Sequence, residues 1–287
     1  VFSIFALLTF FLACVPLYWQ FEVWNVGAIW HISLVALSCL NQYFNSVIWA
    51  GDAANVAPAF CEISIRLTMA VSIGLPAASL VINRRLLRIV SAPVVASVSK
   101  VEKRRAALVD SAICGIPMVP YILLQLVAQA PYQRFDILQG AGCRASLRDS
   151  AAASFLAYAP PLVLGCTAIV YALLSMRVAL IEGDDLVKIF APYRRLDAAR
   201  YARLTGLTLA TLCLSVPATA VSIKAVPVQA RLAALSPTSG VGEIARAAWA
   251  ADGTVHAAVE LGRWLGPASA LLVFVSLGLG KAATAQY

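Results

Sequence analysis

Charge is what this sequence is short of. Only 13% of its 287 residues are Asp, Glu, Lys or Arg, while 61% are hydrophobic and the mean hydropathy is +0.82. A soluble domain carries about 25% charged and about 45–50% apolar residues. The chain therefore lacks the polar side chains to cover a globule in water, and it has too many apolar ones to remain disordered. Histidine is limited to His31 and His256, which are isolated, and no pair among the seven cysteines has zinc-ligand spacing. No metal and no cofactor is expected. G-x-S-x-G, H-E-x-x-H and P-loop motifs are missing, as is any cluster of carboxylates inside an apolar run. An enzyme is therefore not expected. No N-x-S/T site occurs, so no glycosylation is expected. No charged segment and small-residue cleavage site surround the first apolar run, so it reads as an anchor completed by residues ahead of Val1 rather than as a signal peptide. A retinal protein would need a lysine within a late span, but Lys224 and Lys281 stand at the ends of the last two. There is no internal repeat, which weakens the case for a transporter built from duplicated halves.

What is present is a series of seven long apolar runs, at about 1–17, 26–48, 59–82, 106–128, 151–176, 204–223 and 261–280. A helix needs about 20 apolar residues to cross a bilayer, and barrel strands are about 9–11 residues of alternating character. These runs are continuous, so the expected fold is an all-α membrane protein, a single seven-helix bundle over 1–287. The segment 224–259 is alanine-rich but interrupted by Pro227, Pro237, Gly240, Gly242, Asp252 and Gly253, and it reads as a loop with at most one short helix. Of the 22 Lys and Arg, 14 fall in the loops after runs one, three and five and in the tail. Six fall in the other loops, and Arg66 and Arg263 lie inside runs. Positive loops stay in the cytoplasm. The N-terminus is thus expected outside and the C-terminus inside, with the net charge of +8 facing anionic lipid rather than nucleic acid.

Polar residues inside the runs tend to face the bundle interior. Asn41 and Asn45 are four apart on one helical face beside Gln42, suited to bonding neighbouring helices or, less simply, a ligand. Glu62 and Arg66 are also four apart and can pair. Asp110 is expected to pair with Arg104 or Arg105. Pro76, Pro117, Pro160 and Pro217, with Pro161, lie inside runs as candidate hinges, each removing a backbone donor. Five cysteines lie inside runs, where they act as small hydrophobes. Cys61 and Cys143 fall at the expected outer face, where a disulfide can form and would pin the 129–150 loop over the bundle; two free thiols are the alternative. On the expected inner face, Arg84, Arg85, Arg88, Lys103, Arg104, Arg105, Arg194, Arg195, Arg200 and Arg203 form basic clusters, read as lipid anchors or as a docking face for a cytosolic partner.

Several stretches together resemble a known family. They include Leu40-Asn41-Gln42 through Asn45-Ser46-Val47-Ile48-Trp49, Pro58 through Arg66, Ile73 through Leu80, and Ile82-Asn83-Arg84-Arg85-Leu86. Glu102-Lys103-Arg104-Arg105 with Val109-Asp110, Arg134-Phe135-Asp136-Ile137, Gly142-Cys143, Arg200 through Leu204 and Glu260 through Leu265 complete the set. In these the chain is similar to the fungal mating-pheromone receptors of the lipopeptide (a-factor) type, G-protein-coupled receptors common in basidiomycetes. The resemblance implies a plasma-membrane protein that binds an extracellular prenylated peptide and activates a heterotrimeric G protein; family members usually carry a long polar cytoplasmic tail, whereas this sequence ends at Tyr287, just after the seventh run. Partners expected on this reading are the lipidated pheromone, the G protein, membrane lipids and a second copy of the chain. Asn41, Asn45, Glu62, Arg66, Arg134 and Asp136 become candidate ligand contacts, and the basic clusters candidate G-protein contacts. The alternatives are a seven-span transporter or channel, and a receptor relative that has lost its ligand response.

Overall fold

A computed structural model of the chain describes residues 1–22, 24–91, 100–129, 134–181, 198–234, 237–238 and 240–278. Its helices are α1 (Phe2–Cys14), α2 (Leu17–Glu22), α3 (Val26–Ile48), α4 (Pro58–Ser91), α5 (Lys100–Gly115), α6 (Met118–Ala128), α7 (Ala151–Ile181), α8 (Ala198–Ala234), α9 (Arg246–Ala251) and α10 (Gly253–Val273). A π-helical turn, Phe274–Gly278, continues α10. Four strands complete the described elements: β1 (Phe135–Leu138), β2 (Gly142–Arg144), β3 (Pro237–Thr238) and β4 (Val241–Ile244). Five helical stretches, 58–91, 101–128, 151–181, 198–234 and 253–278, are long and apolar enough to cross a membrane. The helix α3 has the length, 23 residues, but carries His31, Asn41, Gln42 and Asn45, and α1 has only 13 residues.

The helix bounds follow from local chemistry. In α3 the buried Ala28, Ile32, Val35 and Cys39 recur at three- and four-residue spacing, the stripe of a helix packed along one side. Its limits coincide with the expected 26–48. The fourth run, by contrast, is broken: Ile116 and Pro117 form a turn between α5 and α6, and α5 begins at Lys100. Pro76, Pro160, Pro161 and Pro217 stay inside continuous helices.

Two expectations are corrected. Segment 224–259 is not a loop, because α8 runs on through Pro227 to Ala234. Alanine has the highest helix propensity, and Ala225 and Ala233 are buried against the strands and α10, so packing outweighs the proline. The helix α10 then starts at Gly253, eight residues ahead of the expected 261, because the Asp252 side chain caps it, accepting from the backbone N–H groups of Thr254 (2.9 Å) and Val255 (3.0 Å). Asp110 does not pair with Arg104 or Arg105. It accepts from Arg84 at 3.0 Å, joining α4 to α5.

The fold is also not purely helical. The strands form one sheet in the order β2-β1-β4-β3, with β1–β2 and β3–β4 antiparallel and β1–β4 parallel. It thus fuses the loop after α6 to the loop after α8. The turn from β1 to β2 needs glycine: Gly140 and Gly142 have φ of +78° and +87°. A Cβ on Gly142 would also collide with the Asn45 side chain. Cys61 of α4 and Cys143 of β2 form a disulfide with Cα atoms 5.3 Å apart, closing 82 residues. Gln139 reaches from the same turn to Gly51 O (2.6 Å) and accepts from Arg246 N (2.9 Å), while Gly140 N donates to Trp49 O (2.6 Å).

At the opposite end, Ile32, Ile82, Leu86, Tyr201, Leu204, Leu207, Val273 and Leu277 pack into an apolar plug. Removing the disulfide, which closes 82 residues, is expected to cost up to about 4.5 kcal/mol by the loop-closure argument. Cys61→Ser, Cys143→Ser and the double variant should lower the thermal midpoint of the purified protein equally; a double variant much worse than either single would show that the thiols act separately.

Candidate functional site

Beneath the sheet the helices enclose a cavity of about 360 Å³, within the range of about 300–1,000 Å³ typical of ligand pockets. Helices α3, α4, α6, α7, α8 and α10 wall it, and Asp136, Cys143 and Arg144 reach it from the sheet. Its lining surface is mostly apolar, with amide and charged groups toward the sheet and hydroxyl groups, among them Ser79, Thr211 and Ser269, along its length.

Asn41 and Asn45, both candidate ligand contacts, line this cavity. Their amides are already committed. Asn41 Nδ2 donates to Ser64 O (3.3 Å) and Thr68 Oγ1 (3.2 Å). Asn45 Nδ2 donates to Asn41 O (2.8 Å) and Ser64 Oγ (2.7 Å), while its Oδ1 accepts from the backbone N–H of Cys143 (2.8 Å). The pair therefore joins α3 to α4 and hangs the sheet on both. Asp136, 1% exposed, accepts from Gln229 Nε2 of α8 (3.2 Å); its Oδ1 is buried against Gly242 without a hydrogen-bond partner. Burial pushes its carboxyl up to about 6, held back by hydrogen bonds from Gln229 and Ser146.

Glu62, Arg66 and Arg134 form a second cluster at the same end, outside the cavity. Glu62 accepts from Arg66 (3.4 Å) and from Arg134 (3.0 Å), and the Arg134 side chain is 74% exposed. Such partly exposed pairs contribute about 0–1 kcal/mol each, so these charges can exchange partners at little cost.

Sequence reasoning did not single out Arg144, Gln229, Gln125, Tyr121 and Tyr158, which line the cavity. Arg144 stands opposite Asp136 in the β1–β2 register and donates to Val259 O (3.2 Å). Burial draws its guanidinium pKa below the ordinary value, with Tyr158 and Glu260 opposing that shift and Arg263 adding to it. Tyr121 donates to Ala157 O (2.7 Å), fixing α6 to α7. A lone glutamine inside an apolar run, Gln125, was the one available signal.

At the far end, Arg88, Lys103, Arg104 and Arg105 are exposed. Arg84 is held by Asp110, Arg85 donates to Trp24 O (2.7 Å), and Arg200 donates to Gln20 Oε1 (3.4 Å). Arg203 Nε turns back to Ala199 O (3.2 Å). Arg194 and Arg195 lie outside the described residues. Among the described residues no group of His, Cys, Asp or Glu is placed to hold a metal.

A bundle of apolar, membrane-length helices around a roofed cavity, with an exposed basic face at the other end, defines a multi-pass helical membrane protein. The Pheromone A receptor family matches residues 1–287. Relatives include the Pheromone B alpha 3 receptor of Schizophyllum commune, 35% identical over 298 residues covering 100% of this chain and 46% of the relative. The Pheromone B alpha 1 receptor of the same species is 34% identical over 98% of this chain and 44% of the relative. Pheromone receptor 1 of Mycosarcoma maydis is 34% identical over 74% of this chain and 59% of the relative. The chain belongs to the Pheromone A receptor family, a family of signalling receptors, and spans less than half the length of the first two relatives. No solved structure matches it.

Asp136 gives a pH prediction. Its folded-state carboxyl holds a proton to about pH 6, against 3.8 for the ordinary group. The folded state therefore binds more protons between those values, and stability should fall as pH rises through that window and then level off. Asp136→Asn keeps a partner for Gln229 and removes the titration. Thermal midpoints of the solubilised protein across pH 4 to 7 should drop for the wild type and stay flat for the variant. Parallel curves would show that burial does not penalise this carboxylate.

Proposed function

We propose that this chain is the seven-span membrane core of a plasma-membrane receptor for a prenylated peptide pheromone, with its N-terminus outside, and that it activates a heterotrimeric G protein. The observation that carries the reading is the roofed cavity at the disulfide-bonded end, placed opposite the exposed basic face. A disulfide suits an oxidising outer compartment, and the excess of Lys and Arg at the other end suits the cytoplasm; both give the same orientation. On this reading α1 and α3 supply the first two spans and α5 with α6 the fourth.

The ligand's polar groups meet the accessible ions of Glu62, Arg66 and Arg134, and its deeper part meets Asp136 and Arg144. Asn41 and Asn45 act by holding the roof. Arg88, Lys103, Arg104, Arg105 and Arg203, with Arg194 and Arg195, form the G-protein face, and Arg84, Arg85 and Arg200 shape it through their own bonds. Pro117, at the break between α5 and α6, is the strongest hinge candidate, because it alone of the four sits between helices. A channel or transporter is less well supported, since the apolar plug at the basic end interrupts any polar path through the bundle.

The test is a fungal reporter strain expressing the receptor and challenged with a panel of short farnesylated peptides and their unfarnesylated counterparts. At least one farnesylated peptide should give a response, and its unfarnesylated form should be weaker. Alanine at Lys103, Arg104 and Arg105, or at Arg194, Arg195, Arg200 and Arg203, should abolish the response while peptide binding and surface expression persist. Silence across the panel would favour a receptor relative that has lost its ligand, and full signalling by both variants would remove the basic face as the docking surface.

A further inference from the structure

The cavity has a closed roof and a closed floor but an incomplete wall. Strand β1 crosses the sheet end and is buried along its whole length, and Cys143 fastens β2 to α4. The apolar plug fills the floor. Toward the floor, α7 and α8 are bound together. Asn83 donates to Ala168 O (3.3 Å) and accepts from Thr208 (3.2 Å), and the Ser175 and Tyr201 hydroxyls lie 2.7 Å apart. The two helices come close again at Gly165 and Leu212, where a Cβ on the glycine would stand 3.4 Å from the leucine.

Around that crossing Leu162 and Cys166 of α7 and Val216 and Thr219 of α8 line the cavity. Cys166 is also exposed at the surface, and Val216 is 47% exposed. Their neighbours on the same helices, Val163, Val170 and Leu214, point apolar surface outward. A residue that lines a cavity and is also exposed beside apolar outward-facing neighbours marks an opening toward the bilayer. Deeper in, Arg144 lines the cavity, and the described residues give its five N–H donors one hydrogen bond, to Val259 O.

We propose that the cavity is entered from the bilayer through the gap between α7 and α8 at Leu162, Cys166 and Val216, and that its occupant is the ligand's prenyl chain, with the attached carbonyl end directed toward Arg144. The proposal rests on the functional reading above. A chain already dissolved among lipid tails gains little affinity by moving into an apolar gap. What the gap provides is a route, because passing the roof from water would expose every methylene of the chain.

The experiment uses the purified receptor in phospholipid nanodiscs and, as probe, cysteine methyl ester S-alkylated with a 15-carbon isoprenoid that carries a diazirine. After irradiation, labelled peptides are mapped by mass spectrometry. Labelling should concentrate on 158–169 and 212–219 and be displaced by the non-photoreactive ester. Val216→Trp should reduce it by about fivefold or more, the lower end of what overpacking a filled site costs, while Leu214→Trp, on the outward face, leaves it unchanged. If Val216→Trp does not fold, as judged by its melting curve, Cys166→Phe takes its place. Equal labelling of the outward faces of α4 and α6, or equal effects of the two tryptophans, overturns the proposal. A diazirine-bearing palmitate that labels the same segments and resists the ester would make the occupant a bilayer lipid chain and overturn it too. The readout needs no G protein: intact labelling with a silent reporter would count against the functional reading alone.

Discussion

One side-chain amide holds the upper half of this molecule in register. Asn45 donates to α3's own backbone and to Ser64 of α4, and accepts from the backbone of Cys143 in the roof. Buried polar groups cost about 1–3 kcal/mol when left unpaired, so each contact constrains the other two. The disulfide fixes the same residue covalently, and Gly142 has no side chain because the amide occupies the space where one would stand. Sheet, cavity and the Asp136–Arg144 pairing all depend on this junction.

The two ends of the bundle are stabilised by different physics. The sheet end is built from loops, whose backbone groups must be satisfied one by one, and it does so through strand pairing, Gln139 and Asn45. The basic end is held by apolar packing, pinned by the Asn83–Thr208 and Ser175–Tyr201 hydrogen bonds. A ligand acting on the first end and a protein partner acting on the second would meet on α7 and α8, the helices common to the cavity, the opening and the pinned end.

Much of this was legible in the sequence, and the failures have physical causes. The limits of α3 follow from its apolar run. The Glu62–Arg66 contact follows from helical spacing, and the Cys61–Cys143 pair from which loops share a face. The sheet was not legible, because strands of two to four residues carry no period to read. The extension of α8 was hidden by Pro227, whose local cost is outweighed by alanines packed under the sheet. Asp110 found Arg84 across a helix interface rather than the arginines nearest in sequence. Arg144 carries no signal of its own in the sequence, since its place at the cavity comes from strand register and burial.

The parallel pairing of β1 with β4 has a consequence for how the protein is made. The β1–β2 hairpin and its bridge to Cys61 involve only chain up to Arg144, so they can form while the rest is still being synthesised. β4 lies beyond both α7 and α8. Its strand can pair with β1 only after both helices have been made. Until then β1 keeps one edge of unpaired backbone, an adhesive surface that a nascent chain must shield. Closure of the roof is thus a late event in chain order, and a chain that stops before Val241 would keep an open edge on β1.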